Sequence, residues 1–211
     1  MAYKHIAWDW NGTLLRDAEA CVRAVNRMLA KRNMGTVSME EYRTIIEFPI
    51  RNLYFKTGFD LENENYGAIC DEYIQNYIDN VSFISLQKDA GEVLEGLRNK
   101  GFHQHIVSAS GSDILIHQLE SYGLRSYFTY ILGQSDNHAD SKEHLAKRLL
   151  DLTGCPPEEV LFIGDTIHDF EVASRAGFHC RLVANGHCSK ERLEATGSPV
   201  YDNLTALYQD L

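Results

Sequence analysis

The 211-residue sequence predicts an α/β protein, a doubly wound parallel sheet with a helical cap domain inserted after the first strand. Short apolar runs bounded by Gly, Ser or Asp recur along the chain, as buried parallel strands do. Helical patterns separate these runs, and this alternation favours a parallel sheet with crossover helices. Roughly 90 residues separate the first run from the second, far more than one crossover helix needs.

Five apolar runs are the predicted strands of the sheet. They lie near residues 3–9, 104–108, 128–132, 159–163 and 178–183. Apolar residues at helical spacing predict the helices between the later strands. These helical stretches cover residues 89–100, 112–122 and 142–150.

The insert is predicted to form a helical cap domain over residues 15–85, which leaves residues 1–14 and 86–211 to the core domain. Ser38 followed by Glu41 matches a capping box, a signal for the start of a helix. Apolar residues also recur at helical spacing, and they are Val22, Val25, Met28 and Leu29 in one stretch and Tyr66, Ile69, Cys70, Tyr73 and Tyr77 in another.

Composition limits the classes of partner. The formal net charge of −10 disfavours nucleic acids and anionic membranes and favours small ligands. The five cysteines lack the short paired spacings of a zinc site, and no apolar run is long enough to span a bilayer. We therefore expect a soluble monomer or homodimer in a reducing, cytoplasmic compartment.

Acidic residues follow two of the predicted strands. Asp9 ends the first apolar run and precedes Gly12, and Asp165 and Asp169 follow the run over 159–163. In open α/β sheets, ligands bind at the carboxyl ends of the strands. Two such strand ends can hold a divalent cation between them.

These motifs resemble those of the haloacid dehalogenase superfamily of phosphatases, in the same order and across nearly the whole chain. The first family motif, Asp-x-Asp-x-Thr, matches residues 9–13 except that Asn11 replaces the second aspartate. The last motif, Gly-Asp-x-x-x-Asp, matches residues 164–169, while Ser108 and Lys142 match the motifs between. The chain is similar to the phosphoglycolate phosphatase branch, whose cap is a mobile lid. The resemblance implies a Rossmann-like core and a hydrolase of small phosphorylated metabolites.

The resemblance also implies roles for the acidic residues. Asp9 would attack phosphorus and form an aspartyl-phosphate intermediate. Asp9, Asp165 and the backbone carbonyl of Asn11 would bind the cofactor, Mg²⁺, which prefers oxygen ligands. Asp169 would hold a metal-bound water or orient Lys142, and it also suits the cap of the following helix.

Phosphoryl binding is assigned to Ser108, the backbone amide of Ala109 and Lys142. Ser110 and Ser112 are alternatives to the serine.

We expect Lys142 in the first turn of its helix, with Lys147 as an alternative deeper in that helix. Arg51, in the insert, and Arg16, just past the first motif, are candidates to bind a carboxylate or second phosphate of the substrate.

Asn11 departs from the family pattern at a residue that acts as general acid and base. Such catalysis is typically worth about 10²- to 10⁴-fold, and an amide does not titrate usefully. His168, within the last motif, is a candidate substitute. Otherwise the protein is a slow phosphatase, prefers a leaving group that needs no proton, such as a carboxylate, or is a phosphate-binding or regulatory protein without turnover. An engineered substitution would also explain Asn11.

Two further enzyme classes fit less well. Relatives that cleave carbon–phosphorus bonds also lack this aspartate but use a cap lysine, and neither Lys31 nor Lys56 lies in a matching context. A mutase would use Asp9 but needs an acid to move protons, so Asn11 argues against it.

Overall fold

The computed structural model describes residues 3–135 and 141–211. The elements, in chain order, are β1 (His5–Trp8), β2 (Leu15–Arg16), α1 (Ala18–Lys31), α2 (Met39–Ile45), α3 (Arg51–Lys56), α4 (Tyr66–Asp79), β3 (Ser85–Leu86), α5 (Ala90–Asn99), β4 (His103–Gly111), α6 (Ser112–Ser121), β5 (Tyr130–Gln134), α7 (Glu143–Thr153), β6 (Val160–Gly164), α8 (Ile167–Ala176), β7 (His179–Val183), α9 (Lys190–Glu194), β8 (Val200–Tyr201) and α10 (Leu204–Gln209). Single 3₁₀ turns occupy Val81–Phe83, Arg125–Tyr127 and Pro157–Glu159.

The main sheet is parallel and has the strand order β5-β4-β1-β6-β7-β8. β1 lies between β4 and β6, and His5 pairs with both His103 and Val160. The chain therefore builds the sheet outward from β1 in both directions. The carboxyl ends of β1, β4 and β6 meet where the strand order reverses, which is where such sheets bind ligands.

Helices cover both faces of this sheet, as the prediction of a doubly wound sheet requires. On one face the apolar core includes Leu94 of α5 and Leu119 of α6, and on the other it includes Leu145 of α7 and Val172 of α8. All four side chains are buried. The predicted fold class and its five strands are confirmed. The strand β8 was not predicted, because two residues carry no readable alternation.

The insert after β1 contains α1 to α4. The predicted capping box is formed, since the Ser38 hydroxyl accepts a hydrogen bond from the Glu41 amide and the Glu41 carboxylate accepts one from the Ser38 amide. The apolar core of these helices also includes Leu182 of β7 and Leu193 of α9. The insert therefore packs directly on the α/β part of the chain.

The insert begins and ends in a two-stranded antiparallel ribbon. Leu15 of β2 pairs with Leu86 of β3, and Arg16 pairs with Ser85. This ribbon lies at the predicted boundaries of the cap, 15 and 85, while the division into two domains itself stays a prediction. None of the helices in residues 3–135 and 141–211 has an apolar stretch that could span a bilayer.

Candidate active site

Asp9 lies directly after β1 at the carboxyl edge of the sheet. Its amide donates a hydrogen bond of 2.8 Å to the carbonyl of Ile163 in β6, which extends the parallel pairing by one residue. Asp165 follows the end of β6 in the same way. Strand pairing thus brings together two carboxylates that are 156 residues apart in sequence.

Asp9, Asp165, Asp169 and Lys142 form a buried group, called here the acidic cluster. The Nζ atom of Lys142 lies 2.5 Å from Oδ1 of Asp9 and 2.6 Å from Oδ1 of Asp169. Carboxylate oxygens of the three aspartates lie within 4.8 Å of one another. Three carboxylates face one ammonium group, so when all are ionised the cluster has an excess of two negative charges.

Lys142 reaches this cluster from a different position than we predicted. Helix α7 begins at Glu143, and Lys142 is its N-cap residue rather than a member of the first turn. Its side chain can therefore extend back toward the strand ends, with only 2% of the residue exposed. Lys147, the predicted alternative, lies on the exposed face of α7.

Burial and charge act against each other in the acidic cluster. Burial raises the pKa of Asp9 to about 8, although Lys142 opposes this shift. Burial also raises the pKa of Asp165 to about 6. Burial acts in the same direction on Asp169, but the Lys142 charge outweighs it and lowers the pKa of Asp169. The 2.5 Å contact with Lys142 favours the ionised form of Asp9, and further positive charge would lower its pKa.

Asp165 is held by hydrogen bonds from opposite sides. Its Oδ1 atom accepts a 2.8 Å bond from the Thr13 hydroxyl, and its Oδ2 atom accepts a 2.6 Å bond from the His187 amide. A Cβ atom at Gly12 or Gly186 would overlap this carboxylate. Gly12 also has φ = 77°, a conformation that glycine adopts without strain. Both glycines keep free the space around Asp165.

Asp169 performs two of the roles considered for it. Its Oδ2 atom accepts hydrogen bonds from the amide and hydroxyl of Thr166, in the capping box that begins α8. Its Oδ1 atom contacts Lys142. The aspartate therefore caps the helix and orients the lysine at the same time.

The acidic cluster fits a divalent cation such as Mg²⁺. Magnesium takes oxygen ligands and is usually held by one or two carboxylates together with water and substrate phosphate. Asp9 and Asp165 offer those carboxylates, and the excess negative charge of the cluster favours a cation. Asp169, with both oxygens already engaged, suits a second layer around it.

Ser108 is buried in β4, near the end of the strand. Its hydroxyl oxygen accepts a 3.1 Å hydrogen bond from the Ser110 amide. The two alternative serines point to other partners, since the Ser110 hydroxyl donates to Oδ1 of Asn11 at 2.5 Å and the Ser112 hydroxyl donates to the Gln134 carbonyl at 3.0 Å. Ser108 and Ala109 both line the cavity described below.

A second buried group lies beside the first and was not predicted. Asp17 and His187, called here the Asp17 pair, approach to 3.1 Å between Oδ1 and Nε2. Oδ1 also accepts the Gly12 amide, while Oδ2 accepts Nδ2 of Asn11 at 2.6 Å and the Tyr77 hydroxyl at 2.9 Å. The Cys21 thiol also lies 3.8 Å from Oδ2, so donors surround both oxygens of the carboxylate. The Asn11 amide is fixed between this carboxylate and Ser110.

The Asp17 pair is an ion pair. Burial alone would lower the pKa of His187, but the charge of Asp17 and its hydrogen bond raise it to about 9. Burial would raise the pKa of Asp17, and the charge of His187 outweighs this effect and lowers it. The Nδ1 atom of His187 lies 3.0 Å from the Tyr42 hydroxyl, so both ring nitrogens have partners.

His168 is poorly suited to replace the missing acid. Burial, reinforced by the charge of Lys142, lowers the pKa of His168 to about 4, which leaves the ring neutral at pH 7. Its ring stacks on Phe48 with centroids 4.9 Å apart, and Nε2 lies 3.4 Å from the Lys142 amide as an acceptor. The histidine therefore packs against the insert rather than supplying a proton.

Neither arginine predicted as a substrate ligand is brought to the acidic cluster. Arg16 is exposed and lines a separate surface groove. Arg51 is also exposed, and its guanidinium lies 5.4 Å from the centre of the Tyr66 ring. Residue 51 begins α3, a helix that we did not predict, and this helix directs the side chain away from the cavity. The geometry does not favour either assignment.

A cavity of about 130 Å³ lies between the acidic cluster and the insert. Asp9, Asn11, Ser108 and Lys142 line one side of it. Aromatic and aliphatic side chains of the insert line the other side, and they include Tyr42, Phe48, Ile50, Tyr54, Tyr73 and Tyr77. The cavity therefore has the Asp9 carboxylate and the Lys142 ammonium group side by side in its lining, with room for a small molecule.

The parallel sheet and the acidic cluster at its carboxyl edge indicate an α/β enzyme with an aspartate at the end of its first strand. The chain belongs to the haloacid dehalogenase-like hydrolase family, whose model matches residues 6–183. The predicted resemblance is therefore confirmed.

Two curated relatives differ in the substrate that their names give. The chain is 29% identical to a 5'-nucleotidase of Pseudomonas aeruginosa over 220 aligned positions, which cover 100% of this chain and 96% of that relative. It is 27% identical to a phosphoglycolate phosphatase of Aquifex aeolicus over 185 positions, which cover 86% and 85%.

Solved structures support the fold. A haloacid dehalogenase-like family hydrolase from Streptococcus pneumoniae has a TM-score of 0.86 at 16% identity, with 99% of this chain and 98% of that chain covered. A hydrolase from Pseudomonas syringae has a TM-score of 0.79 at 22% identity, with 98% and 96% covered.

Proposed function

We propose that the chain is a Mg²⁺-dependent phosphatase, similar to phosphoglycolate phosphatases, that hydrolyses small phosphorylated metabolites through an aspartyl-phosphate on Asp9. Its relatives make it a phosphoric monoester hydrolase. The observation that carries the mechanism is the position of Asp9, at the end of β1, against Lys142 and facing the cavity. Asp9, Asp165 and the carbonyl of Asn11 would hold the metal.

Each residue around Asp9 would have a separate role in phosphoryl transfer. Bound Mg²⁺ would neutralise charge on the phosphoryl oxygens. Lys142 contributes further positive charge, and Asp169 keeps its ammonium group turned toward Asp9. The Ser108 hydroxyl would donate a hydrogen bond to a phosphoryl oxygen. Asp9 would attack phosphorus as the bond to the leaving-group oxygen breaks, and the departing oxygen would take a proton from water. A second water would then hydrolyse the aspartyl-phosphate, which releases inorganic phosphate and restores Asp9.

Asn11 is the observation behind the alternative, a phosphate-binding or regulatory protein without efficient turnover. The comparisons give this alternative no support, since the family and its curated relatives are hydrolases. Asn11 has a defined place as a bridge between Asp17 and Ser110. We therefore assign it to positioning, with slow release of alcohols that require a proton as the expected cost.

The test is phosphate release from alkyl, aryl and acyl phosphates with and without Mg²⁺. Acid quenching during turnover, followed by mass spectrometry of the peptide that contains Asp9, should detect a phosphoaspartate. Metal-dependent release together with this modification supports the mechanism. Release without a covalent intermediate would contradict the role of Asp9. A lack of release from every compound of the panel, with Mg²⁺ still bound, would favour the phosphate-binding or regulatory alternative.

A further inference from the structure

We infer that the site selects phosphate monoesters whose leaving group is small, uncharged and apolar, such as a phenol, over esters that carry a carboxylate or second phosphate. This inference rests on the proposed function and names its substrate class. It concerns the part of the substrate that faces the insert. Three observations carry it: the partners of the basic side chains, the chemistry of the cavity wall and the size of the cavity.

The basic side chains of the described residues that line the cavity already have partners. Lys142 is held between two carboxylates of the acidic cluster, and His187 is paired with Asp17. His168 stacks on Phe48 and accepts a hydrogen bond from a backbone amide. A carboxylate on the leaving group would therefore lose its hydration without gaining a free cation, which is costly.

The wall opposite the acidic cluster is apolar. Its side chains come from the insert and from α6, and they include Ile46, Phe48, Ile50, Ile74 and Ile114. Two tyrosines of this wall, Tyr42 and Tyr77, add ring faces rather than free hydroxyl groups. The hydroxyls of Tyr42 and Tyr77 bind the Asp17 pair instead. An apolar leaving group would gain from burial here, because its apolar surface is removed from water.

The cavity is small. Its volume of about 130 Å³ lies well below the 300 to 1,000 Å³ or so that is typical of pockets for drug-sized ligands. A cavity of roughly 150 Å³ in another protein takes one benzene molecule. Since the phosphoryl group occupies part of the volume, a leaving group the size of a single ring fills the rest of the cavity. A nucleoside would require the insert to move away.

The exposed arginines do not supply a cation to the cavity. Arg16 and Arg51, which could recognise an anionic group, both lie outside the described lining of the cavity. Ile50, the neighbour of Arg51, faces the cavity instead. The two adjacent positions 50 and 51 therefore offer a direct test of the wall.

Binding of two stable phosphonates to the Mg²⁺-loaded protein tests the selectivity without any turnover. Isothermal calorimetry should show phenylphosphonate binding at least about tenfold more tightly than phosphonoacetate. Equal affinities, the reverse order, or binding of neither compound would overturn the inference. Absence of hydrolysis with the expected order preserved would instead contradict the proposed function and leave the selectivity standing.

Substitutions of a side chain in the apolar wall provide a second test of the selectivity. Ile50→Arg should improve binding of phosphonoacetate relative to phenylphosphonate by about tenfold or more, because it places a cation in the apolar wall. Ile50→Met is the matched control and should keep the wild-type order. Thermal unfolding confirms that each variant is folded.

Arg51→Met is a control at the adjacent exposed position and should leave both affinities unchanged. Loss of phosphonoacetate binding in this variant would mean that Arg51 reaches the ligand. That result, or an unchanged ratio of the two affinities in Ile50→Arg, would overturn the inference.

Discussion

The acidic cluster and the Asp17 pair are both buried groups of potential metal ligands, but they differ in charge balance. The first sets three carboxylates against one lysine, whereas the second sets one carboxylate against one histidine. Protein donors surround both oxygens of the Asp17 carboxylate. Asp9 has Lys142 as its only hydrogen-bonding side-chain partner among the described residues.

Proximity of ligand types therefore does not by itself define a metal site. Ligand atoms of Asp17, Cys21 and His187 lie within 4.8 Å of one another, and so do those of the three aspartates in the acidic cluster. A cation at Asp17 would have to displace hydrogen bonds that already stabilise the charge of the Asp17 carboxylate. A cation at Asp9 and Asp165 would instead compensate an excess of negative charge. We therefore expect chemistry at the acidic cluster and structural support from the Asp17 pair.

Asp9→Asn should lower activity more than any other substitution considered. Removal of the nucleophile should lower phosphate release by on the order of 10⁴-fold or more. The matched variant Asp17→Asn, which alters the other group, should retain measurable turnover. Steady-state phosphate release measures both variants, and circular dichroism checks their folding. Retained hydrolysis in Asp9→Asn would contradict the mechanism.

Mg²⁺ should stabilise the protein through the acidic cluster alone. At a concentration of one hundred times Kd, a bound ligand adds about 2.7 kcal/mol to the free energy of unfolding. This gain should disappear in Asp165→Asn and persist in Asp17→Asn. Thermal unfolding with and without Mg²⁺ measures it. A gain that depends on Asp17 instead would reverse the comparison between the two groups.

Asn11→Asp should add a carboxylate between the acidic cluster and the Asp17 pair, within hydrogen-bonding distance of Asp17. Two carboxylates this close share a proton, so the pKa of one of them rises and a general acid becomes available. Hydrolysis of alkyl phosphates should increase by about 10- to 100-fold, and that of phenyl phosphate by less, since phenol needs less protonation. An equal change for both esters would show that protonation does not limit the rate.

The Asp17 pair should make stability depend on pH. The pKa of His187 is about 9 in the folded protein and about 6.5 when unfolded. Its stabilising contribution is therefore fully present below pH 6.5 and is lost as the pH rises through 9, at no more than about 1.4 kcal/mol per pH unit.

Chemical denaturation of the wild type and His187→Gln across this range measures the slope. The wild type should lose unfolding free energy more steeply than the variant. Parallel profiles would mean that His187 carries no extra proton in the folded state.

The acidic cluster was largely predictable from sequence, because strand ends are easy to locate. Asp9 and Asp165 each end an apolar run, and pairing of parallel strands brings such ends together. The position of Lys142 was wrong by one helical residue, and helix boundaries are commonly uncertain by that much. Its contact with Asp9 depends on tertiary packing that spacing does not reveal.

The Asp17 pair could not be predicted in the same way. Asp17 precedes a helix and resembles an ordinary cap, yet its side chain makes no capping bond there. Its contact with His187 depends on how the insert packs against the end of β7. His187 follows that strand by four residues, so the strand-end argument applied to Asp9 would have indicated its location. The same argument would not have indicated Asp17 as the partner of His187.

The ribbon between β2 and β3 has a consequence for how this architecture can change. Antiparallel partners lie about 5 Å apart, so the pairing of Leu15 with Leu86 brings the start and end of the insert side by side. A tight turn could close that gap, and so could any segment whose own ends meet. The whole insert can therefore in principle be exchanged for another segment. Such an exchange would change the substrate specificity while β1 and β4 stay in place.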